Sequence, residues 1–485
     1  MNPRRRLRVA IIGSGFGGLA MAVKLSRRTH ADFTVFEQAD DIGGTWRDNR
    51  YPGCEVDIHS HIYSFSFMKY DWPRTHATQP ELYAYANAVV DRFGLRDRIR
   101  LGTGVVEARW LGDEEGYEVR TTDGRAERFD VVVSAVGLLN VPRYPDWPGL
   151  EDYRGIAFHT SRWEGHNLLD KRVAVVGTGS TAIQVVPALA PFVGRLIVYQ
   201  REPGWIEPKS ERAFAPLERW VYRNVPLAQR LHRYWLWWKA NRRFRGYDRD
   251  SRMQRRMQEI CRSFIDSTVR DPVTRAALTP DYPWGCKRPI VATTYYDAFN
   301  LPNVELVPHA VVAATPTGLV DASGAERDVD VVVLATGFQP QRFLANLEIV
   351  GEGGLRLHDA WEERATAFLG VTVPGFPNFF ILYGPNTNGG TSIIAQLERQ
   401  AELAVAAIRR LERGRARLVE TDPAATVEYV RWVDRELATA ASAKNSGCHN
   451  YFTDARGHII TEWPRTHLVY WWLTKAWRGR GLRFG

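Results

Sequence analysis

Two glycine-rich segments carry the residue types and spacing that bind a dinucleotide pyrophosphate. In each, the first glycine permits a tight turn, the second lets the backbone approach a phosphate, and the last small residue lets a helix pack on its strand. The helix that follows such a turn offers its N-terminal amides and positive dipole end to the phosphates. The residues concerned are Gly13, Gly15 and Gly18 in the first segment and Gly177, Thr178, Gly179, Ser180 and Ala182 in the second. The sequence therefore predicts two nucleotide sites.

The side chains at a matching distance after each turn differ in charge. Glu37 comes twenty-four residues after Gly13, and Arg201 comes twenty-four residues after Gly177. A carboxylate suits the free ribose diol of FAD and repels a 2′-phosphate, whereas a guanidinium binds that phosphate through charge-assisted bonds. We infer an FAD-type first site and an NADP-type second site. The alternative for Arg201 is a solvated charge at a strand end.

The elements that must position these turns are short apolar strands. Arg8–Ile12 and 33–36 flank the first turn, and Arg172–Val176 and Arg195–Tyr199 flank the second. Each pair with its helix is a βαβ unit, the repeating element of a parallel sheet. The predicted fold is therefore α/β, with two Rossmann-like dinucleotide-binding domains.

Further apolar strands indicate the domain borders. The segments 131–135 and 330–335 lead directly into Val136-Gly137 and Thr336-Gly337, where we expect the chain to leave each nucleotide domain. A late strand at 379–383 and a helix at 391–413 are expected to return to the first domain and close it over its cofactor. The prediction is residues 1–140 and 339–485 for FAD, with 141–338 for NADP. The segment 153–164 joins the two units, and 206–285 is a helical insertion.

The insertion holds most of the excess positive charge. The chain of 485 residues has a net charge of +9, and residues 219–256 contain eleven Arg and one Lys against two Asp. A charge confined to one stretch argues against general nucleic-acid binding. Apolar residues recur there at helical spacing, namely Leu227, Leu231, Trp235 and Trp238, with Arg230, Arg233 and Arg242 off that stripe. We favour a helix packed over the active site with an arginine-rich solvent face; contact with a membrane surface is the less favoured alternative. Trp471 and Trp472 near the C-terminus raise the same question.

Cysteine usage and hydropathy favour a reducing, cytoplasmic setting. The four cysteines include no C-x-x-C pair, so neither a disulfide scaffold nor a metal site is expected. The basic and apolar N-terminus resembles a signal peptide, but its regular glycine spacing favours a strand, turn and helix. No apolar run is long enough to span a membrane.

Four sequence features resemble those of a known family, the type I Baeyer–Villiger monooxygenases. The segment from Gly44-Thr45-Trp46 to Asp57 follows the family pattern G-x-W-x(4)-[FY]-P-G-x(3)-D. The joining segment 153–164 approximates the fingerprint F-x-G-x(3)-H-T-x(2)-W-[PD]. Lys287-Arg288 before Tyr295-Tyr296, and the strand end Ala335-Thr336-Gly337-Phe338, also recur in the family. The segment 448–452 is most similar to the aryl-ketone and uncharacterised bacterial branches.

The resemblance implies an activity. Such enzymes use FAD, NADPH and O₂ to insert one oxygen atom beside a ketone carbonyl through a C4a-peroxyflavin, and give an ester or lactone. Tyr153 replaces the fingerprint's Phe, and Glu164 replaces its Pro or Asp. The second departure leaves open a flavin N- or S-monooxygenase that oxidises amines or sulfides. A disulfide reductase lacks a cysteine partner for Cys54, and a scaffold without activity conflicts with the intact glycines. The natural substrate and the oligomeric state stay open.

The resemblance also implies roles for individual residues. Arg288 is expected to be the fixed catalytic cation, with Asp57 orienting it and also contacting the flavin site. Lys287 is expected to assist Arg201 at the NADP phosphate. The remaining expected contacts to the flavin are Thr45, Trp46, Tyr63 and Asn386. The joining segment is expected to couple domain motion to catalysis through His159, Thr160 and Trp163.

Overall fold

The computed structural model describes residues 6–389, 392–414, 416–443, 450–476 and 478–485. The strands are β1 (Arg8–Ile12), β2 (Asp32–Phe36), β3 (Ile99–Arg100), β4 (Val105–Gly112), β5 (Gly116–Thr121), β6 (Ala126–Phe129), β7 (Val131–Ser134), β8 (Ile156–His159), β9 (Arg172–Val176), β10 (Arg195–Tyr199), β11 (Ile206–Pro208), β12 (Ile290–Ala292), β13 (Val304–Val307), β14 (Val311–Ala314), β15 (Gly318–Asp321), β16 (Glu326–Asp328), β17 (Val331–Leu334), β18 (Glu348–Val350), β19 (Phe379–Ile381), β20 (Val419–Thr421) and β21 (Leu482–Phe484). The α-helices are α1 (Phe16–Arg28), α2 (Thr45–Asp48), α3 (Gln79–Arg92), α4 (Ala182–Leu189), α5 (Pro216–Asn224), α6 (Ala228–Arg243), α7 (Arg252–Thr268), α8 (Pro272–Leu278), α9 (Tyr295–Ala298), α10 (Leu357–Ala360), α11 (Ile393–Glu412), α12 (Pro423–Leu437), α13 (His467–Ala476) and α14 (Arg478–Gly481).

A first parallel sheet carries the first glycine turn. Its strand order is β19-β7-β1-β2-β3. The central strand β1 is buried from Val9 to Ile12, as expected for a parallel strand covered on both faces. The helix α1 packs against α11 from the late part of the chain. The strand β19 pairs with β7 in parallel register, so residues far apart in sequence complete this sheet.

A second parallel sheet carries the second glycine turn. Its order is β13-β10-β9-β17-β8. The strands β9 and β10 have the bounds that the sequence predicts, which confirms the second βαβ unit. The joining segment differs from the expectation of a plain linker, because its residues 156–159 form the edge strand β8. That strand pairs with β17 from Val331 to Leu334.

Smaller sheets flank the two parallel ones. One has the strand order β18-β4-β5-β6, and the other is the antiparallel sheet β14-β15-β16. Phe129 and Trp110 of the former pack in one core with Phe36. Leu319 of the latter packs with Ala174 and Tyr199 of the second unit. These sheets cover the faces of the parallel sheets that α1 and α4 leave open.

The insertion is helical, with one difference at its start. Residues 206–208, which the prediction includes in the helical region, form β11, and this strand pairs in parallel with β12. The helices α5, α6, α7 and α8 lie between these two strands. No helix in the described ranges is long and apolar enough to cross a membrane.

The orientation of α6 corrects a prediction. The apolar stripe expected to pack over the active site faces outward, and its exposed fractions are Leu227 62%, Leu231 64%, Trp235 52% and Trp238 57%. The opposite side of α6 packs inward instead, where Arg233 donates hydrogen bonds to the carbonyl oxygens of His61 and Ser64 at 2.8 and 2.7 Å. The helix therefore does lie over the interior, but with the stripe turned away from it.

The described cysteines are in two states. Cys54 and Cys261 are buried free thiols, and burial raises the pKa of each to about 12. Such thiols are protonated and unreactive near neutral pH. Cys286 is disulfide-bonded, which the cysteine count did not predict.

Candidate active site

The first glycine turn connects β1 to α1 and leaves no space for side chains at two positions. Gly13 has a φ of +104°, and a Cβ there would lie 2.7 Å from the carbonyl oxygen of Ala135. A Cβ at Gly18 would lie 1.9 Å from the carbonyl oxygen of Gly13. Gly15 is the N-cap of α1. The backbone amides at the start of this helix have no partner within it, and they point out of its N-terminal end. The turn thus presents backbone donors of the kind a pyrophosphate requires.

Glu37 stands directly after β2 and reaches back to the first turn. Its Oε2 accepts hydrogen bonds from the backbone N–H and the hydroxyl of Ser14, at 2.8 and 2.7 Å. Its Oε1 accepts from the backbone N–H of Ala39 at 3.0 Å. These bonds fix the carboxylate beside Gly13 and Gly15, where the sequence predicts it.

Thr45, Trp46 and Tyr63 lie together behind the first turn. Thr45 opens α2 after Gly44, whose φ is +53°. The indole N–H of Trp46 donates to the hydroxyl of Tyr63 at 3.1 Å, and the two rings meet edge-on at 5.7 Å. Burial raises the pKa of Tyr63. Because its oxygen accepts from Trp46, the Tyr63 O–H remains a donor for a group in the cavity.

The second glycine turn brings three predicted residues to one place. Gly177 has a φ of +122°, and a Cβ there would lie 2.4 Å from the carbonyl oxygen of Ala335. The hydroxyl of Thr178 donates to the carbonyl oxygen of Glu202 at 2.9 Å. Lys287 forms an ion pair with the carboxylate of Glu202. Arg201 is exposed next to that pair, so both cations lie at the strand end that follows the turn.

A glycine from the first unit fixes the contact between the units. Gly53 has a φ of +78°, and a Cβ there would lie 2.6 Å from the carbonyl oxygen of Gln184 in α4. The Gln184 side chain accepts from the Tyr51 hydroxyl at 3.1 Å and donates to the carbonyl oxygen of Glu55 at 2.9 Å. The Tyr-Pro-Gly element therefore packs the first unit directly on the helix of the second turn.

Arg288 and Asp57 form an ion pair across the same boundary. The Arg288 guanidinium donates to Asp57 Oδ2 at 2.5 Å. Although 38% of the Arg288 side chain is accessible, that surface faces the cavity described below. The Asp57 carboxylate holds the pKa of Arg288 well above its usual value, and burial opposes this effect only in part. Arg288 is therefore a permanent cation in a fixed position.

His159 connects the edge strand β8 to the crossover after β17. Its Nδ1 accepts from the Ser161 backbone N–H at 3.2 Å and contacts the Ser161 hydroxyl at 2.8 Å. Its Nε2 lies 2.9 Å from the carbonyl oxygen of Gly337, to which it donates. Burial lowers the pKa of His159, so the ring is neutral and holds the two strand ends together. Thr160 is buried beside it, and Trp163 packs edge-on against Phe158 at 5.0 Å.

A cavity of about 790 Å³ extends between the two units. Its walls include residues from the first parallel sheet, from the turn and helix α4 of the second unit, from the insertion and from the C-terminal part of the chain. The predicted site residues that line it are Gly13, Gly15, Glu37, Thr45, Trp46, Asp57, Tyr63, Ser180 and Arg288. The cavity thus connects the first glycine turn to the Arg288–Asp57 pair and to the edge of the second turn.

Other predicted residues lie outside the cavity wall. They are Gly18, Gly177, Thr178, Gly179, Ala182, Arg201, Lys287, His159, Thr160 and Trp163. Asn386 is also outside the wall, because its amide group donates to the carbonyl oxygens of Ile459 and Glu462 at 2.8 and 3.1 Å. Asn388 lines the cavity instead, and its Oδ1 accepts from the hydroxyl of Tyr383 at 2.8 Å. Cys448 and His449 of the C-terminal segment lie outside the described residues.

Sequence reasoning missed several residues of the cavity wall. They are Phe244, Tyr247, Trp284, Tyr451, Phe452, Glu462 and Trp463. Aromatic residues are frequent throughout this chain, so no local pattern distinguishes these from core residues. Glu462 follows an apolar stretch and precedes Trp463, a position without a motif. Only their convergence in space identifies them.

The described residues fit two dinucleotide cofactors. Both glycine turns are closed so tightly that a side chain at their first glycine would strike backbone. The first turn faces the Glu37 carboxylate, whereas Lys287, paired with Glu202, and the exposed Arg201 lie near the second turn. These donor sets match the diol of FAD and the phosphate of NADP, respectively. Tyr63 and Arg288 line the cavity together with Gly13 and Gly15 of the first turn and Ser180 of the second.

Comparison with known proteins gives the family. Residues 11–74 match the model of the NAD(P)-binding Rossmann-like domain. A Baeyer–Villiger monooxygenase of Streptomyces coelicolor is 38% identical over 464 residues, which cover 95% of this chain and 89% of that protein. The open crystal structure of cyclohexanone monooxygenase superposes with a TM-score of 0.87 at 30% identity and covers 99% of this chain and 100% of that one. The structure of OTEMO in complex with FAD and NADP gives 0.88 at 26% identity, with 99% of each chain covered. With its fold, its two turns and its Arg288–Asp57 pair, the chain belongs to the Baeyer–Villiger monooxygenase family.

Proposed function

We propose that this protein oxidises ketones with an aromatic or bulky apolar substituent, and that Arg288 is the cation that stabilises the oxygen of the reacting carbonyl. Membership of the family establishes the reaction type: the protein is a flavin monooxygenase that uses FAD and NADPH for Baeyer–Villiger oxidation. When bound, these cofactors supply the hydride and the activated oxygen. The observation that carries the proposal is the Arg288–Asp57 pair in the wall of the cavity.

Arg288 supports the proposal through its charge and its fixed position. Addition to a ketone carbonyl places negative charge on the carbonyl oxygen, and a cation already in place stabilises that charge without reorganising. The hydrogen bond to Asp57 restrains the guanidinium. A pair on the open surface would be screened by solvent, whereas this pair lies in the wall of a cavity between the two units, where less water surrounds it.

The aromatic wall supports an apolar ketone. Tyr247 and Phe244 from the insertion face the cavity together with Trp284, Tyr451 and Phe452. Flat rings exclude water and accept an aryl or large alkyl group by stacking or edge contacts. Exclusion of water also strengthens the interaction of Arg288 with the carbonyl oxygen.

The cofactor contacts are proposals of the same kind. We assign the FAD pyrophosphate to the turn at Gly13 and Gly15, with Thr45, Trp46 and Tyr63 beside the flavin and Glu37 at the ribose. We assign the NADP phosphate to Arg201 and Lys287, whose proximity to Thr178 through Glu202 supports this.

The division into domains supports an exchange between two cofactor positions. We assign residues 1–140 and 339–485 to the FAD domain and 141–338 to the NADP domain, which agrees with the pairing of β19 with β7 and of β8 with β17. His159 bonds to Gly337 at the crossover between these parts, and we assign it a role in domain motion. A cytoplasmic location, where NADPH is regenerated, is part of the proposal.

The experiment is to replace Arg288 with Ala and to follow two reactions separately. Reduction of the bound FAD by NADPH is measured without oxygen, and ester formation from an aryl ketone such as acetophenone is measured by product analysis. We expect flavin reduction to persist and ester formation to fall at least about 100-fold, which is the effect of losing one preorganised stabilising group. Ester formation at the wild-type rate would remove Arg288 from the mechanism.

Arg243→Ala is the matched control. Arg243 also lines the cavity and also forms an ion pair with a carboxylate, that of Glu207. We expect this variant to keep most ester formation, so an equal loss in both variants would indicate general damage to the cavity. A panel of cyclic, linear and aryl ketones with thioethers tests the substrate class. Turnover confined to thioethers would contradict the ketone proposal and favour S-oxidation.

A further inference from the structure

The outer side of α6 exposes several large apolar side chains to solvent. Leu227, Leu231, Tyr234, Trp235 and Trp238 are each more than half exposed. Their spacing of three and four residues places them on one side of the helix. Monomeric proteins rarely expose contiguous apolar patches of this kind, and such patches mark contacts with proteins or membranes.

Cations accompany the exposed rings at regular intervals. The guanidinium of Arg242 lies 4.8 Å from the ring centre of Trp238, Lys239 Nζ lies 5.5 Å from that of Trp235, and Arg230 lies 5.7 Å from that of Tyr234. Each pair is four residues apart. The helix α6 contains no Asp or Glu. Its outer side therefore combines rings and positive charges without an acidic residue of its own.

The helix α13 extends the same surface. Its residue His467 packs edge-on against Trp237 of α6, with ring centres 4.4 Å apart. On the exposed side of α13, Leu468 is 61% and Trp472 57% accessible. Lys475 Nζ lies 3.7 Å from the ring centre of Trp471, so the arrangement of a ring with a cation four residues away recurs here. Like α6, α13 contains no Asp or Glu. We call the exposed sides of α6 and α13 the basic–aromatic face.

The inner side of α6 is part of the cavity wall. Leu236, Ala240 and Arg243 line the cavity, and Lys239 reaches its edge, while the exposed rings of the basic–aromatic face lie on the other side of the helix. The face and the cavity are therefore separated by a single helix, about 10 Å in diameter.

We propose that the basic–aromatic face docks this protein on an anionic lipid surface. Tryptophan and tyrosine rings favour the headgroup region of a bilayer, where Lys and Arg stems lie along apolar surface and their charges reach lipid phosphates. A second copy of this chain would bring like charges together, which costs free energy. Negatively charged headgroups complement the face instead, as for interfacial amphipathic helices. The docking does not depend on which ketone the protein oxidises.

The test is cosedimentation of the full-length, FAD-loaded protein with vesicles. One set contains phosphatidylcholine alone, and the other contains about 30% phosphatidylglycerol. We expect the fraction bound to anionic vesicles to exceed that on neutral ones at least about tenfold and to fall with added salt, because each basic residue near such a surface contributes to binding. The paired changes Trp235→Ala with Trp238→Ala, and Arg230→Glu with Arg242→Glu, should each abolish the preference.

Two control variants keep the result specific. Phe192→Ala removes an exposed ring, 62% accessible, outside the face, and Arg409→Glu reverses an exposed charge on α11. Both should bind anionic vesicles like the wild type. Retention of FAD by all variants shows that they fold. Equal binding to neutral and anionic vesicles, or no binding at all, would overturn the proposal. A dimer that forms without vesicles and is lost in the face variants would overturn it in favour of a second copy.

Discussion

The buried carboxyl group of Glu462 predicts a pH-dependent effect on stability, and the magnitude of that effect follows from the structure. Its side chain is 7% exposed and lies in the cavity wall, and its carboxyl group accepts a hydrogen bond from the hydroxyl of Ser442. Burial raises the pKa of Glu462 from 4.5 to about 7, and the hydrogen bond from Ser442 offsets this only in part. The group therefore holds a proton at pH values where an exposed glutamate has lost it.

The sign of the effect on stability follows from proton binding. Between pH 4.5 and about 7 the folded protein keeps the Glu462 proton and the unfolded chain has released it. The contribution of Glu462 to the free energy of unfolding therefore falls as pH rises through this window and stays constant above it. The difference of roughly 2.5 pKa units corresponds to ~3 kcal/mol at about 1.36 kcal/mol per unit. Glutamine imitates the neutral acid and does not titrate, so Glu462→Gln should lack this fall.

The assay compares the free energy of unfolding in urea for the wild type and Glu462→Gln from pH 5 to pH 9. We expect the gain from the substitution to increase with pH and to reach ~3 kcal/mol above pH 8. Glu398→Gln is the control, because Glu398 is also buried and accepts two hydrogen bonds from Ser66. Parallel pH curves for the wild type and Glu462→Gln would refute the reasoning. The same gain in Glu398→Gln would show that it is not specific to the cavity.

Two further predictions concern the nucleotide turns. Arg201→Ala should raise the KM for NADPH about tenfold or more and leave that for NADH nearly unchanged, because only NADPH carries the phosphate that a guanidinium binds; equal changes in steady-state kinetics would defeat the assignment. Gly18→Ala should yield protein without bound FAD, since its Cβ would lie 1.9 Å from the carbonyl oxygen of Gly13, whereas Gly17→Ala meets only side chains at 3.4 Å and beyond. Equal flavin absorbance in the two purified variants would contradict this.

Much of the fold could be predicted because its signals are local. The glycine spacing and the apolar strands β1, β9 and β10 need only neighbouring residues to be identified, and their bounds are those predicted. Glycine is required at the first position of each turn, because a Cβ at Gly13 or Gly177 would collide with a backbone carbonyl oxygen. The segment 153–164 was less clear, since an edge strand has a weaker apolar pattern than a central one and β8 is buried only at its end.

The candidate site could be predicted only in part. Arg288 and Asp57 are 231 positions apart, and no periodicity connects them, so their pairing was available from family resemblance alone. Asn386 was expected at the cofactor, but its amide group satisfies two carbonyl oxygens of the C-terminal segment. The sequence does not indicate which side-chain amide will form hydrogen bonds with a backbone segment that is distant in sequence.

The sequence by itself determined two dinucleotide turns of opposite charge preference and the strands that hold them, because turn geometry and strand burial are encoded by adjacent residues. Only the tertiary structure decided that the apolar stripe of α6 faces outward and that Glu462 enters the cavity wall. Helical periodicity identifies a stripe but not the surface against which it packs. That surface is formed by segments distant in sequence, whose arrangement depends on burial across the whole chain.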